Sequence, residues 1–142
     1  SKSRALAGMR LGYAFGNEEL IKYLNDVKFS VNSYTLNMCA LIAGAEAIRD
    51  KEYFERIRDR VISTREWTSK ELKRLGFTFK PSSANFIFAR PKKGDAGRIF
   101  EELKHRGIYV RYFNKPRIDG YLRISIGTDE EMKSLISALE EM

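Results

Sequence analysis

The first ten residues of the chain, SKSRALAGMR, place a lysine at position 2 and an arginine at position 10. A lysine amine forms a Schiff base only when it is neutral, which a desolvated or cation-neighboured site brings about. An arginine eight residues later offers a planar fork of donors suited to a phosphate. The small residues of Leu6-Ala7-Gly8-Met9 let the backbone approach a bound group closely. Ser1 and Ser3 flank the lysine with hydroxyls able to donate to phosphate oxygens. Taken without that context, a lysine second in a chain reads as a frayed, solvated residue.

A second set of candidates stands near the other end. In Tyr121-Leu-Arg-Ile-Ser-Ile-Gly127 strand alternation puts Leu122, Ile124 and Ile126 on one face, so Arg123 projects from the opposite face beside Tyr121 and Ser125. In Ile108-Tyr-Val-Arg-Tyr112, Arg111 shares a face with Tyr109. An arginine on a mainly apolar strand is costly unless it is paired. A salt bridge, a solvated strand edge and a bound anion each satisfy that requirement, and the residues alone leave the three open.

The opening segment resembles the class I/II, fold-type I pyridoxal-phosphate (PLP) aminotransferases. Their pattern runs serine, lysine, a few variable residues, then Leu-Ala-Gly-apolar-Arg-x-Gly-Tyr. Every fixed position is filled here, by Ser1, Lys2, Leu6, Ala7, Gly8, Arg10, Gly12 and Tyr13. The resemblance implies that Lys2 carries the cofactor as a Schiff base and moves the proton in transamination. It implies that Arg10 binds the cofactor phosphate with Ser1 as a helper. Arg4 stands where many relatives have an aromatic residue.

The phrase GIYVRYFNKPRIDGYLRISIGTDEEM resembles histidinol-phosphate aminotransferases throughout its length. In that family an arginine at the position of Arg123 binds the substrate α-carboxylate, and one at the position of Arg111 is associated with the second anionic group. The implied reaction turns histidinol phosphate and 2-oxoglutarate into imidazole acetol phosphate and glutamate. Aromatic amino-acid aminotransferases, a threonine-phosphate decarboxylase relative and a noncatalytic binding or dimerisation module of the same fold are the alternatives. Asn85, in PSSANFIFAR, matches another recurrent family phrase and reads as a structural residue, as does Tyr13. The proline-containing phrase common in relatives is absent around FSVNSYT.

Relatives also need an acid on the cofactor's pyridine nitrogen, an aromatic stacked on its ring and a glycine-rich phosphate loop, all N-terminal to the lysine. Only Ser1 precedes Lys2. The expectation is therefore a C-terminal part of a homodimeric enzyme, inactive when alone.

The elements that must position these groups follow from periodicity. Residues 10–15 read as a short strand, and Asn17 caps a helix over residues 18–27 with Leu20, Ile21 and Leu24 inward. Residues 28–33 read as a loop and residues 34–49 as a buried helix. A long amphipathic helix spans residues 51–75 and stops at Gly76. Strands over residues 77–80 and 85–90, a helix over 95–105, strands over 108–112 and 121–126, and a helix opened by the capping box Thr128–Glu131 complete the chain. The fold class is thus α/β, with a small α+β domain. Its predicted parts are residues 1–50, a remnant of the large cofactor domain; 51–75, a bridging helix; and 76–142, the small C-terminal domain.

Composition narrows the partners. The single cysteine, Cys39 in an apolar neighbourhood, excludes an internal disulfide and reads as a buried small hydrophobe. The single histidine, His105, excludes a multi-histidine metal site and falls at a helix C-terminus. No apolar run nears the roughly 20 residues that span a bilayer. The expectation is a cytoplasmic protein without a membrane partner. A net charge of +7 suits phosphate-bearing ligands, but the basic residues are interspersed with acids and form no nucleic-acid module.

Overall fold

The computed structural model describes residues 3–142; Ser1 and Lys2 lie outside the described residues. The chain divides into two compact units, Ser1–Arg56 and Ile57–Met142.

In the first unit a single 3₁₀ turn, Ala7–Met9, is followed by helices α1 (Glu18–Val31) and α2 (Met38–Arg49) and the start of α3 (Lys51–Arg74). Both early helices begin at an asparagine whose side chain replaces a missing backbone partner. Asn17 accepts from the Glu19 N–H at 2.9 Å, and Asn37 accepts from the Ala40 N–H at 2.8 Å. The Asn37 cap starts α2 at Met38, four residues later than the apolar run suggests, because an Asn32–Tyr34 turn occupies the approach. At the end of α1, the Asn32 N–H donates to Lys28 O, so most of the expected loop over residues 28–33 is the last turn of the helix.

Three other expectations change here. Residues 10–15 form no strand, since no described strand offers them a ladder. Leu20 and Leu24 are exposed rather than inward, Leu24 by 59%. Only Ala40 and Gly44 of α2 are buried, and Cys39 is exposed. Apolar periodicity marks a face for burial; within the unit that face meets no second layer.

The second unit holds a four-stranded antiparallel sheet in the order β1-β2-β4-β3, from β1 (Phe77–Thr78), β2 (Phe86–Pro91), β3 (Arg111–Tyr112) and β4 (Leu122–Ser125). Helices α4 (Ala96–His105) and α5 (Asp129–Glu140) complete the expected β-β-α-β-β-α order. Strands β1, β3 and β4 are shorter than expected, whereas β2 keeps its six residues, shifted by one from the expected 85–90. Ile87 and Ala89 of β2 and Leu122 and Ile124 of β4 point to one face and are fully buried with Leu72, Leu103 and Leu135 from the helices. Each such leucine stabilises the unit by about 2–5 kcal/mol relative to alanine.

The connections are set by local chemistry. Gly76 takes φ +81°, the left-handed turn that ends α3. Asp95 caps α4 by accepting from the Gly97 and Arg98 N–H groups at 2.6 and 3.2 Å. Thr128 and Glu131 form a reciprocal capping box on α5. The helices are tied by Thr64 Oγ1 donating to Asp129 at 2.5 Å and by ion pairs from Arg74 to Glu140 and Arg106 to Glu141. Among the described residues, no helix is long and apolar enough to cross a membrane.

Candidate active site

Burial of Leu122 and Ile124 against the helices leaves the odd residues of β4 on the open sheet face, so Arg123 and Ser125 are exposed. The register then places Arg111 of β3 directly opposite Arg123. Like charges at facing positions repel, and neither guanidinium has a carboxylate partner among the described residues. Each instead lies near an aromatic ring. Arg123 Cζ is 5.5 Å from the Phe86 centroid, and Arg111 Cζ is 5.4 Å from that of Phe113. Two guanidinium groups at facing positions of paired strands, without carboxylate partners among the described residues, suit a ligand bearing two anionic groups.

The neighbouring surface is aromatic. Phe88 faces Arg123 across the β2–β4 ladder, and its ring stacks on Tyr121 with centroids 4.6 Å apart and planes 7° from parallel. Phe86, Phe88 and Tyr121 form one wall of a groove of about 760 Å³, closed by Pro81, Ala84 and Arg117. Sequence reasoning did not select Phe86 and Phe88. The signal was present, since alternation in FIFAR puts them opposite the buried Ile87 and Ala89. Asn85 contributes its backbone carbonyl, which accepts from the Ile126 N–H at 2.9 Å and lengthens the ladder. Lys115 and Arg117 are exposed turn residues.

In the first unit Arg10 follows the 3₁₀ turn with φ +54°, and its Nη1 donates to Ala7 O at 2.8 Å. Among the described residues Arg10 makes that one side-chain bond, which leaves the rest of an exposed donor fork available. At Gly8 and Gly12 an added Cβ would meet nothing within 4 Å, so the backbone beside the arginine is open to approach. This donor set and space fit a phosphate group. Tyr13 is exposed and packs edge-on against Phe15, with centroids 5.2 Å apart. His105 closes α4 as an exposed residue, and no cluster of metal-binding side chains occurs among the described residues. Lys2 and Ser1, the remaining candidates, lie outside the described residues.

The pattern of the aminotransferase class I and II family matches residues 1–139. The chain belongs to that family. Among curated class I and II aminotransferases, it is 50% identical over 142 residues to histidinol-phosphate aminotransferase of Clostridium botulinum (strain Okra / Type B1). It is 52% identical over 141 residues to histidinol-phosphate aminotransferase of Clostridium acetobutylicum. All or nearly all of the chain is covered in both cases, 100% and 99%, but it spans only 40% of the length of either relative. Its fold is similar to that of histidinol-phosphate aminotransferase from Sinorhizobium meliloti, solved in complex with pyridoxal-5'-phosphate. That match has a TM-score of 0.84 and 26% identity, covering 99% of this chain and 38% of the other. The mixed helix-and-strand fold expected from the sequence is therefore that of the class I and II aminotransferases.

Proposed function

We propose that the chain forms part of a PLP-dependent aminotransferase that moves the amino group of histidinol phosphate to 2-oxoglutarate, yielding imidazole acetol phosphate and glutamate. The observation that carries this reading is the cross-strand pair Arg111 and Arg123, left without carboxylates among the described residues. One pocket must accept both an amino alcohol phosphate and a dicarboxylic amino acid, and two arginines suit that alternation.

PLP, when bound, supplies the electron sink that makes the substrate Cα–H acidic. Lys2 Nζ would hold the cofactor when it is bound and, as a neutral amine, would take and return the substrate Cα proton. Arg10 would hold the cofactor phosphate through the donors not used on Ala7 O, with the Ser1 hydroxyl as a further donor. Arg123 takes the α-carboxylate of glutamate, and Arg111 takes the second anionic group, a phosphate or a distal carboxylate. Fixed cations on neighbouring strands orient either substrate without reorganisation at the moment of proton transfer.

This reading assigns residues 1–50 to the cofactor domain, 51–75 to a bridging helix and 76–142 to the small domain of a cytoplasmic homodimer. The test compares kcat/KM for histidinol phosphate and phenylalanine in the full-length enzyme, with and without Arg111→Ala. The substitution is expected to depress histidinol phosphate turnover selectively. Preference for phenylalanine would favour an aromatic aminotransferase, and decarboxylation of a phosphorylated amino acid would favour the decarboxylase relative. Absence of any turnover would favour a noncatalytic module.

A further inference from the structure

Arg4 lies over the ring of Phe54 in the first turns of α3, with Cζ 3.6 Å from the ring centroid. Its Nε is buried and makes no hydrogen bond among the described residues. A donor in that state is unfavourable by itself, so other contacts hold the side chain in place. The aromatic face is such a contact, because a desolvated guanidinium is attracted to the ring quadrupole.

A second attachment lies seven residues further on. Leu11 sits against α2 at Gly44, where an added Cβ would come within 2.0 Å of Leu11 Cδ2. Glycine at that buried helical position leaves the notch that the leucine occupies. Arg4 and Leu11 thus bracket the 3₁₀ turn and Arg10.

We infer that Arg4, seated on Phe54, is a positioning residue that fixes the segment between Lys2 and Arg10, with Leu11 over Gly44 as its second anchor. The inference rests on the roles proposed above for Lys2 and Arg10. Arg4 touches no reacting atom; it acts by restricting the segment that leads to Arg10.

The test uses the full-length protein and its variants Arg4→Ala, Arg4→Lys, Phe54→Leu and the double variant Arg4→Ala/Phe54→Leu. Phe54→Leu keeps the helix and most of the side-chain volume, which separates loss of the stack from loss of the fold. The first readout, made without cofactor, is amide hydrogen exchange at Met9 and Arg10, whose N–H groups donate to Leu6 O and Ala7 O at 3.1 and 3.3 Å. The second is PLP affinity by absorbance titration. Arg4→Ala is expected to speed that exchange and to weaken PLP binding by about tenfold each, on the scale of one desolvated cation–ring contact. Phe54→Leu should give the same change, Arg4→Lys should recover part of it, and the double variant should be no worse than either single one. Unchanged exchange and affinity in Arg4→Ala, or fully additive losses in the double variant, would overturn the inference. Borohydride reduction of the PLP-loaded, unsubstituted protein keeps the two readings apart. Label away from Lys2 overturns the role of Lys2 itself, whereas label on Lys2 with indifferent Arg4 variants overturns only the role of Arg4.

Discussion

The two units spend the same kind of sequence in opposite ways. In Ile57–Met142 the apolar positions of α3, α4, α5 and the sheet converge on one core, with Leu72, Ile87, Leu103 and Leu122 wholly buried. In Ser1–Arg56 the corresponding stripes of α1 and α2 are exposed, and Val27, Val31, Met38 and Ile42 face outward. Side chains that enter a core are held by many contacts, so the arginine pair stands on a sheet that is rigid before any ligand arrives. Arg10 instead follows a 3₁₀ turn in a unit whose buried residues are few. A site on strands inherits its geometry from the core; a site on a turn depends on individual contacts.

The contrast can be broken by truncating apolar side chains in both units. In the 142-residue chain, Leu72→Ala is expected to destabilise the second unit by about 2–5 kcal/mol, whereas Leu24→Ala, exposed in this chain, should fall within about 0.5 kcal/mol. Urea unfolding of the two variants checks this, and equal losses would dissolve the distinction. Next in size is Arg123→Ala, expected to lower kcat/KM about 100-fold in the full-length enzyme by removing a charge-assisted contact to the substrate carboxylate. Its unfolding midpoint should hold or rise, because a facing like charge has gone. A stability loss as large as that of Leu72→Ala would mark Arg123 as structural.

How much of this was legible in the sequence follows the same division. Asn17, Asp95, Thr128 and Gly76 announce their helix ends because capping is local chemistry between residues a few positions apart. The face of Arg123 is legible because alternation has a fixed period of two. The strand expected over residues 10–15 fails because a strand needs a partner, which no local pattern supplies. Cys39 is exposed for a related reason, since an apolar neighbourhood does not specify what packs on it. The Phe88–Tyr121 stack and the Arg4–Phe54 contact join residues far apart in the chain, and only the fold brings them together.

Within the second unit, helix caps and surface pairs carry smaller effects. Asp95→Ala removes the side chain that accepts from two backbone N–H groups and should cost about 1 kcal/mol, read as a lowered unfolding midpoint. The smallest effect concerns Asp59, whose carboxyl lies below its ordinary value of 3.8, first because the Arg58 side chain donates to it at 2.8 Å. A carboxyl depressed in the folded state contributes stability that is present above its unfolded value and lost as pH falls through the folded one. Asp59→Asn should therefore remove a slight acid-range slope from the unfolding curve and leave the neutral-pH stability almost unchanged, since the pair is exposed.

The proposed function requires Lys2 to hold the cofactor and the facing Arg111 and Arg123 to hold the substrate. Borohydride reduction of the PLP-loaded full-length enzyme, followed by peptide mapping, is the decisive experiment. A single stable adduct on Lys2, lost in Lys2→Ala, is expected; an adduct on any other lysine, or none, would overturn the assignment.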